Sequence, residues 1–579
     1  MSILWVLLVG VIFPSHVMAA YLMRINSQAQ FDALNNNITQ AIASGHQDIQ
    51  IMIGPGVYFY HENHLERKNE QQPGVSIRIT GQQAILVAAG NDYHNGDIYK
   101  GDFHHANSFV NIDTQEFYDC WSDCVFADSL IRIVNEKDKL CFLPYSKAAD
   151  FMSDDASKMY ITITEWFRGY TFKVQKVSSN GIYFVADNLA YIKNFGTEEY
   201  NVNYDYIYGR QLPRFSLCNP ADKKNKVRIS NGKVWYEKDK RIHECLASCF
   251  LHLSDNAYKS FTLSGLHFIG NKGRNQLLQI FNTKAEQIVI NSCLFEGIRN
   301  LVLSADQTDN LLFKENRLSN CSSFGIRSSN SCGNTTVIDN EFDHIGKDMS
   351  QTSCVCCKGS NYYVAHNTFR NFGYSAIDIG VWYRTQKEYP SFGIVEYNHI
   401  FYDSDYLKHK ERHTLMDSGA IYTCTQNDDA TIRYNYIHDY AGMRHNRGIF
   451  CDDGASHLRI YGNIVINTSH HAIDSRLCPN INENNLDNQV MYNIVNSSIL
   501  FQGKDIANNQ CVRKGNITLF KVGGNTPKHI YGSIEHHEND MFLSYEGWDN
   551  KGIIVNQETW NHLRRLPYFK HIKQYIRRK

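Results

Sequence analysis

The segment LLFKENRL, residues 311–318, contains an apolar residue, two variable residues, an asparagine, one variable residue and a second apolar residue. Eight segments carry this pattern, and their asparagines are Asn291, Asn316, Asn340, Asn367, Asn398, Asn435, Asn463 and Asn493. All eight keep both apolar positions, and successive asparagines lie between 24 (Asn316 to Asn340) and 37 (Asn398 to Asn435) residues apart. A short recurring period of this kind indicates a solenoid with one coil per repeat.

The residue types in the repeat favour a β-solenoid over a helical one. Alternating β-branched residues suit strands, and abundant asparagine and glycine suit the turns between them. Asparagine tolerates a left-handed backbone, and amides stacked on successive coils, roughly 4.8 Å apart, could form a hydrogen-bonded ladder. The predicted fold class is therefore all-β: a right-handed parallel β-helix, with an inserted sandwich-like domain and helical caps.

The chain divides into five predicted regions. Residues 1–20 combine a short apolar stretch with small residues ending in VMAA, which is typical of a secretory signal peptide. An amphipathic helix pattern begins residues 21–114, predicted as an N-terminal cap with the first coils. Residues 115–240 lack the asparagine repeat and contain alternating strands, so we expect an inserted β-rich domain. Residues 241–530 are predicted as the β-helix with the active-site face, and 531–579 as a C-terminal cap with a helix.

Composition restricts the location and the partners. The net charge of -1 gives no basic surface for nucleic acid, so no nucleic-acid partner is expected. The first apolar run is too short to span a bilayer comfortably, and no other long apolar segment exists. We therefore expect a secreted or periplasmic monomer that has no membrane span once its signal peptide is removed.

The 16 cysteines indicate no metal site, and neither a metal nor another cofactor is predicted. Zinc sites need two well-spaced ligand pairs, which the sequence lacks. Cys120 with Cys124, and Cys245 with Cys249, are close enough in sequence to pair. The later cysteines, such as the cluster in SCVCC at 353–357, are either disulfides or buried thiols.

A second strand follows each asparagine. Leu301, Ile326, Ile377 and Ile473 lie ten residues after four of them, and Ile421 and Ile449 occupy the same position after insertions. If these residues face the interior, their neighbours face outward, because side chains alternate along a strand. The insertions all precede this strand, and insertions confined to one face usually mark a binding face.

The outward positions gather acidic, aromatic and histidine side chains near the insertions. Asp417, Asp452 and Asp453 are the candidate catalytic residues, because a pair of carboxyl groups can cleave a glycosidic bond. The alternative for Asp453 is a plain Asp-Gly turn. The candidate substrate-binding residues are Asp378, Tyr422, His438, His445, Phe450, His471, Asp474 and Arg476.

Three stretches resemble a known group of proteins: DSGAIYTC at 417–424, TIRYNYIHDY at 431–440 and NRGIFCDDGASHLRIYGN at 446–463. They are similar to bacterial right-handed parallel β-helix carbohydrate-active enzymes, above all to relatives of glycoside hydrolase families 141 and 120. The resemblance implies that a β-sandwich interrupts the helix near its start. It also implies that Asp417 and the pair Asp452 and Asp453 are catalytic.

The predicted function is an exported glycoside hydrolase that cleaves a polysaccharide or oligosaccharide with a pair of aspartates, through a retaining mechanism. One alternative is a polysaccharide lyase acting on a uronic-acid polymer. A lyase needs a base, and calcium or a basic groove to neutralise the substrate carboxylate, whereas the candidate groove here is acidic. The other alternative is a non-catalytic glycan-binding protein, which would not need paired carboxylates.

Overall fold

A computed structural model describes most of the chain. The described residues are 20–93, 108–111, 113, 115–118, 124–151, 159–164, 169–194, 212–218, 227–230, 233–236, 242–273, 275–346, 351–380, 391–410, 414–424, 429–443, 445–476, 487–502, 512–521 and 540–579. The predicted signal peptide therefore lies outside the described residues, apart from its final residue. Within them, no helix is long and apolar enough to cross a membrane.

The fold is a right-handed parallel β-helix whose coils each contribute strands to three faces. The first and second faces belong to one 24-stranded sheet, since two long strands, Gln71–Ala88 and Ala257–Ile269, run through both. The other strands of the first face are Tyr21–Ile25, Asp48–Ile53, Lys284–Asn291, Leu311–Lys314, Thr336–Ile338, Ser360–Ala365, Phe392–Glu396, Ala430–Arg433, Leu458–Tyr461, Gln489–Met491 and Val512–Lys514. Those of the second face are Gly56–Tyr60, Leu294–Glu296, Arg317–Cys321, Glu341–Ile345, Thr368–Phe372, His399–Phe401, Tyr436–His438, Ile464–Ile466, Ile494–Val495, Ile517–Lys521 and Met541–Tyr545.

The third face is a separate 11-stranded parallel sheet, and it carries the candidate site. Its strands are Leu65–Lys68, Leu251–Ser254, Leu278–Phe281, Leu303–Asp306, Ile326–Ser328, Ser353–Cys357, Ser375–Asp378, Gly419–Cys424, Arg447–Asp452, Ile473–Arg476 and Ile499–Gln502. Inward-facing residues of all three faces merge into one continuous apolar core. Because the described strands between the first and last coils pair with the coil before and the coil after them, unpaired strand edges are concentrated at the two ends of these sheets.

The predicted asparagine ladder lies at the turn between the first and second faces. From Asn316 to Asn516 each side-chain Nδ2 donates to Oδ1 of the next asparagine at 2.9–3.1 Å. The same Oδ1 also accepts a hydrogen bond from the backbone N–H of the preceding asparagine, for example Asn398 N to Asn435 Oδ1 at 3.0 Å. The ladder ends on Asp540 Oδ1, one step beyond Asn516. Its amides are buried yet bonded, as a polar interior requires.

The first predicted copy of the repeat is two residues out of register. Asn316 Oδ1 accepts from the backbone N–H of Cys293, so Cys293 rather than Asn291 holds the first ladder position. Asn291 instead pairs with Lys314 at the end of its strand, and its side-chain Nδ2 donates to Oγ of its neighbour Ser292 at 3.3 Å. The same slip applies to the second strand, where Leu303, not Leu301, pairs with Ile326. The sequence pattern was misleading for this coil because Cys293 occupies the ladder position that an asparagine holds in the later coils.

Antiparallel sheets interrupt the parallel coils between residues 90 and 245. A seven-stranded sheet has its own core and consists of Val125–Phe126, Arg132–Asn135, Leu140–Pro144, Tyr160–Thr164, Gly169–Ser178, Gly181–Val185 and Arg214–Cys218. The other strands are the hairpin Val227–Ser230 with Lys233–Tyr236, and the four-stranded sheet of Gly90–Tyr93, Ser108–Asn111, Glu116–Tyr118 and Ile242–Cys245. One helix, Leu189–Asn194, and one 3-10 helix, Ala148–Phe151, accompany them. A second large sheet facing the first is not among the described strands, so the sandwich arrangement and the limits 115–240 stay predictions.

Helices accompany both ends of the solenoid. Helices Gln28–Asp32 and Leu34–Ala43 bury Phe31, Leu34 and Ile38 in the main core at the first coil. The C-terminal elements are the helices Gln557–Leu563 and Phe569–Ile572, the 3-10 helix Lys573–Tyr575, and a three-stranded sheet of Gly547–Asp549, Gly552–Val555 and Ile576–Arg578.

The C-terminal segment packs along the flank of the second face. His571 stacks on Tyr434 with ring centroids 4.4 Å apart, and Tyr575 stacks on Tyr436 at 4.9 Å. The segment thus covers the sides of several coils. That it also caps the last coil stays a prediction.

Cys245 and Cys249, which are close enough in sequence to pair, are separate buried thiols in the structure. Cys354, Cys356 and Cys357 are buried thiols as well, which decides between the two readings of that cluster. Burial raises the pKa of the Cys356 thiol to about 12, so these side chains act as small apolar residues. Cys120 lies outside the described residues.

Candidate functional site

The strand register on the third face confirms that the predicted outward residues align on successive coils, and we call this row of residues the outward column. Asp378 pairs with Tyr422, Tyr422 with Phe450, and Phe450 with Asp474 on four successive coils. The inward neighbours Ile377, Ile421, Ile449 and Ile473 align in the same way. The short helix Ser404–Lys408 lies in the long insertion that precedes Asp417, and its N-cap is Asp403.

Asp452 and Asp453 stand where the strand Arg447–Asp452 ends in a tight turn. Ala455 N donates to Asp452 O at 3.0 Å, and Asp453 and Gly454 both have positive φ, at 47° and 83°. These values fit a type I′ turn, which favours Asp-Gly. The turn interpretation of Asp453 is therefore correct as a description of its backbone, and its side chain still adds a negative charge beside Asp452.

Among the aspartates of the site, Asp452 has a clearly raised pKa. Its pKa is raised from 3.8 to about 7, first by burial and then by the charges of Asp453 and Asp417. The charges of Arg476 and Arg447 oppose this rise without cancelling it. Tyr422 Oη donates to Asp452 Oδ2 at 3.2 Å, which fixes the orientation of the carboxyl group. A carboxyl group with such a pKa can hold a proton near neutral pH and deliver it.

Asp417 is held by Arg447, a residue that sequence reasoning missed. Arg447 Nη1 lies 2.8 Å from Asp417 Oδ1, and its Nε lies 2.7 Å from Asp474 Oδ2. Arg476 Nε approaches the same Asp474 oxygen at 3.0 Å. The four side chains form an alternating chain of charges in the order Asp417, Arg447, Asp474, Arg476, which we call the charge row.

Strand alternation would have placed Arg447 inside the helix, because Ile449, two residues later, is in the core. The alternation fails at Gly448, where a Cβ would lie 2.3 Å from the side chain of core residue Val465. Gly448 and Ile449 thus both face inward, and Arg447 faces outward. In the sequence, the glycine at position 448 was the only sign that the alternation breaks and that Arg447 faces outward.

Phe450 and Asp474 belong to the site but are wholly buried, each with 0% exposure. The Phe450 ring lies 3.9 Å from the Arg447 guanidinium carbon and 5.1 Å from that of Arg476. Cation–π contacts of this kind orient guanidinium groups. The Phe450 ring is therefore occupied by the arginines and offers no exposed face to a sugar, so any part it has in substrate binding acts through Arg447 and Arg476. Tyr422 is 7% exposed and meets Phe450 edge to face.

Three histidines adjoin the charge row. The rings of His445 and His470 lie 4.7 Å apart, and those of His470 and His471 lie 3.9 Å apart. Burial, and then the charges of neighbouring histidines and arginines, lower the pKa of His470 to about 2. Burial likewise lowers the pKa of His471 to about 4. The structure thus brings the predicted His471 close to Asp474, places the predicted His445 beside His470, and adds His470 itself.

His438 is not part of the site. It lies on the second face, on strand Tyr436–His438, with 0% exposure. Its Nδ1 pairs with Asp439 at 2.8 Å, and its Nε2 lies 2.9 Å from His399 Nε2. Trp548 of the C-terminal segment donates to Asp439 at 3.0 Å. The prediction failed because proximity in sequence to the insertions does not decide which face a residue occupies.

Asp378 stands one coil before Tyr422, where it pairs with Lys358 at 3.3 Å. Cys356 occupies the coil before that. Asp378 and Lys358 thus extend the outward column away from the charge row, which suits a subsite better than the reacting centre.

Among the described residues, one cluster could hold a metal ion, and it consists of His470, His471 and Asp474. One possible ligand atom from each residue lies within 4.8 Å of the others. Against this, Asp474 Oδ2 already contacts two guanidinium groups. Their positive charge opposes a cation at the same carboxylate.

No family model matches the chain, and no curated protein sequence matches it. Solved structures similar to it include XylC in complex with xylose, with 9% identity over 85% of this chain and 81% of XylC and a TM-score of 0.36. The gp54 tailspike of Acinetobacter baumannii bacteriophage AP22, in complex with A. baumannii capsular saccharide, shares 9% identity over 88% and 74% of the two chains, with a TM-score of 0.21. The Pseudomonas phage phi297 tailspike gp61 shares 10% identity over 87% and 72%, with a TM-score of 0.19. Similarity this distant carries no argument about activity, and membership of families 141 or 120 stays a prediction.

Proposed function

We propose that the protein is an exported glycoside hydrolase whose reaction centre is formed by Asp452 and Asp417. The observation that carries the proposal is the position of Asp452: its carboxyl group is largely buried, accepts a hydrogen bond from Tyr422 at 3.2 Å and lies near Asp453 and Asp417. Burial and the charges of those two aspartates raise the pKa of Asp452 to about 7. A glycosidase needs one protonated carboxyl group and one carboxylate on either side of the bond that breaks. Asp452 supplies the first, and Asp417, in its ion pair with Arg447, supplies the second.

In this mechanism Asp452 donates its proton to the glycosidic oxygen as the bond to the anomeric carbon breaks. Asp417 either attacks the anomeric carbon or removes a proton from a water molecule that attacks it. The separation of the two carboxyl groups decides between these courses. We retain the prediction of a covalent intermediate and retention, which requires roughly 5–5.5 Å. Asp453 acts by its charge, since it raises the pKa of Asp452 more than Asp417 does.

A polysaccharide lyase is the second candidate, and one observation favours it. The groove is not purely acidic as the sequence suggested, because Arg447 and Arg476 lie within it. Guanidinium groups could neutralise a uronate carboxylate. Both arginines, however, already share Asp474, and the pKa of Tyr422 is raised well above 10 by burial, which makes it a poor base.

The test is a screen of purified neutral and uronic-acid polysaccharides and oligosaccharides, with product analysis by mass spectrometry and ultraviolet absorbance. Hydrolysis adds water to the products, and chelators leave the rate unchanged. An unsaturated uronic product, absorbing in the ultraviolet, would replace the hydrolase proposal with the lyase. Binding of a glycan without any turnover, across all substrates that bind, would favour the non-catalytic alternative.

A further inference from the structure

Two polar atoms in the charge row and one beside it are buried and have no hydrogen-bond partner among the described residues. They are Arg447 Nη2, Asp474 Oδ1 and His470 Nδ1. Arg447 and Asp474 are both 0% exposed, whereas the His470 ring is partly exposed, so the group lies just below the surface. Buried polar atoms without partners are rare, because they lose water and gain nothing in return. A ligand that supplies the missing hydrogen bonds is the direct explanation.

Charge restricts what that ligand can be. A cation would face Arg447 and Arg476, the same charges that lower the pKa values of His470 and His471. An anion would face Asp474, whose carboxylate is wholly buried at the centre of the row. A neutral ligand avoids both penalties.

The three atoms also require a ligand that both donates and accepts. Arg447 Nη2 can only donate, Asp474 Oδ1 can only accept while ionised, and His470 Nδ1 accepts or donates according to its tautomer. A hydroxyl group donates one hydrogen bond and accepts others, so one or two hydroxyl groups satisfy this set.

We propose that Arg447, Asp474 and His470 form a subsite that binds hydroxyl groups of a neutral sugar unit next to Asp417. This rests on the proposed function, which it deepens by naming the substrate class. The same guanidinium group that binds Asp417 through Nη1 offers Nη2 to the sugar. A sugar bound there therefore lies against the candidate catalytic carboxylate. The partly exposed ring of His470 marks the side from which the sugar enters.

This subsite should discriminate strongly between a sugar that carries the matched hydroxyl groups and one that lacks them. When a buried polar group is built to bind a hydroxyl, a ligand that lacks the hydroxyl leaves it unpaired. Removing the matched hydroxyl should therefore weaken binding by roughly a hundredfold or more. An uncharged sugar should bind, and the uronic acid of the same configuration should bind at least about tenfold more weakly, because its carboxylate meets Asp417 and Asp474.

The experiment measures binding by isothermal titration calorimetry, with the full chain carrying Asp452→Asn so that no substrate turns over. The probes are xylose, glucose, galactose and mannose, the deoxy analogues of those that bind, glucuronic and galacturonic acids, and Zn²⁺ and Ca²⁺ alone. The variants are Asp474→Asn and His470→Leu, the latter retaining all charges of the row. The matched control is His457→Leu, whose imidazole pairs with Asp487 at 2.9 Å outside the charge row. Circular dichroism and a cooperative melt establish that each variant folds.

The expected result is binding of at least one neutral sugar, weakened at least about tenfold by His470→Leu and unchanged by His457→Leu. The proposal is overturned if no neutral sugar binds, if a uronic acid binds more tightly, or if His470→Leu leaves sugar binding unchanged. A single bound Zn²⁺ or Ca²⁺ that His470→Leu abolishes would make the cluster a metal site instead. Failure of the hydrolase proposal is separate: it would appear as turnover by Asp452→Asn, with sugar binding intact.

Discussion

The asparagine ladder and the charge row are both stacks of polar side chains on successive coils, yet they differ in one respect. In the ladder, the Asn435 amide donates to Val395 O, Arg433 O and Asn463 Oδ1, and it accepts twice from Asn398. In the charge row, Arg447 and Asp474 each retain an atom without a partner. A saturated polar stack stabilises the fold, whereas an unsaturated one, next to Asp452 with its raised pKa, is arranged for a ligand.

The first prediction concerns activity, where the two stacks should differ most. Asp452→Asn and Asp417→Asn each remove a carboxyl group that the mechanism requires, so kcat on the true substrate should fall at least about a hundredfold. Initial rates at saturating substrate measure this, with circular dichroism as the check on folding. Asn435→Ala is the control from the ladder, and its folded fraction should keep normal kcat. Near-normal kcat for Asp417→Asn would remove it from the mechanism.

Asp452→Asn should also stabilise the protein in a pH-dependent manner. A raised pKa means that the folded protein prefers the protonated acid, so Asp452 adds no penalty below pH 3.8 and opposes folding increasingly as pH rises through about 7. The asparagine variant removes that penalty. Its gain in free energy of unfolding should grow between pH 4 and 7 and reach at most about 4 kcal/mol. Urea titrations of both proteins across this range measure the gain, and a pH-independent difference would contradict the raised pKa.

The second prediction concerns stability, where the ladder should matter more. Asn435→Ala removes three donated hydrogen bonds and leaves buried groups of Asn398 and Val395 without partners. Each such group costs about 1–3 kcal/mol, and we expect a total loss of about 3 kcal/mol in the free energy of unfolding. Asn291→Ala is the matched control, since Asn291 lies outside the ladder, and it should change stability by less than about 0.5 kcal/mol. Equal losses for the two variants would contradict the register assigned here.

The same comparison explains what the sequence could and could not predict. The ladder coincides with seven of the eight segments that carry the sequence pattern, from Asn316 to Asn493, and this repetition made the fold, the inward isoleucines and the outward column predictable. The charge row occurs once. Arg447 was missed because Gly448 breaks the strand alternation. His438 was misplaced because its distance from the insertions along the sequence does not show that its strand belongs to the second face. Burial of Phe450 depends on two arginines from different coils, which no local pattern reveals.

The last prediction concerns Asp453 and tests whether its role is electrostatic or catalytic. If Asp452 is the general acid, activity must fall as pH rises through about 7, where it loses its proton. The charge of Asp453 contributes to that high pKa, so Asp453→Asn should lower the pKa of Asp452 and move the alkaline fall of kcat/KM to lower pH. We expect a displacement of about one pH unit, with activity at the optimum reduced less than about tenfold. A pH–rate profile of both proteins measures it. A loss comparable to that of Asp452→Asn at every pH would instead make Asp453 a catalytic residue, and an unmoved alkaline limb would mean that Asp452 is not the acid.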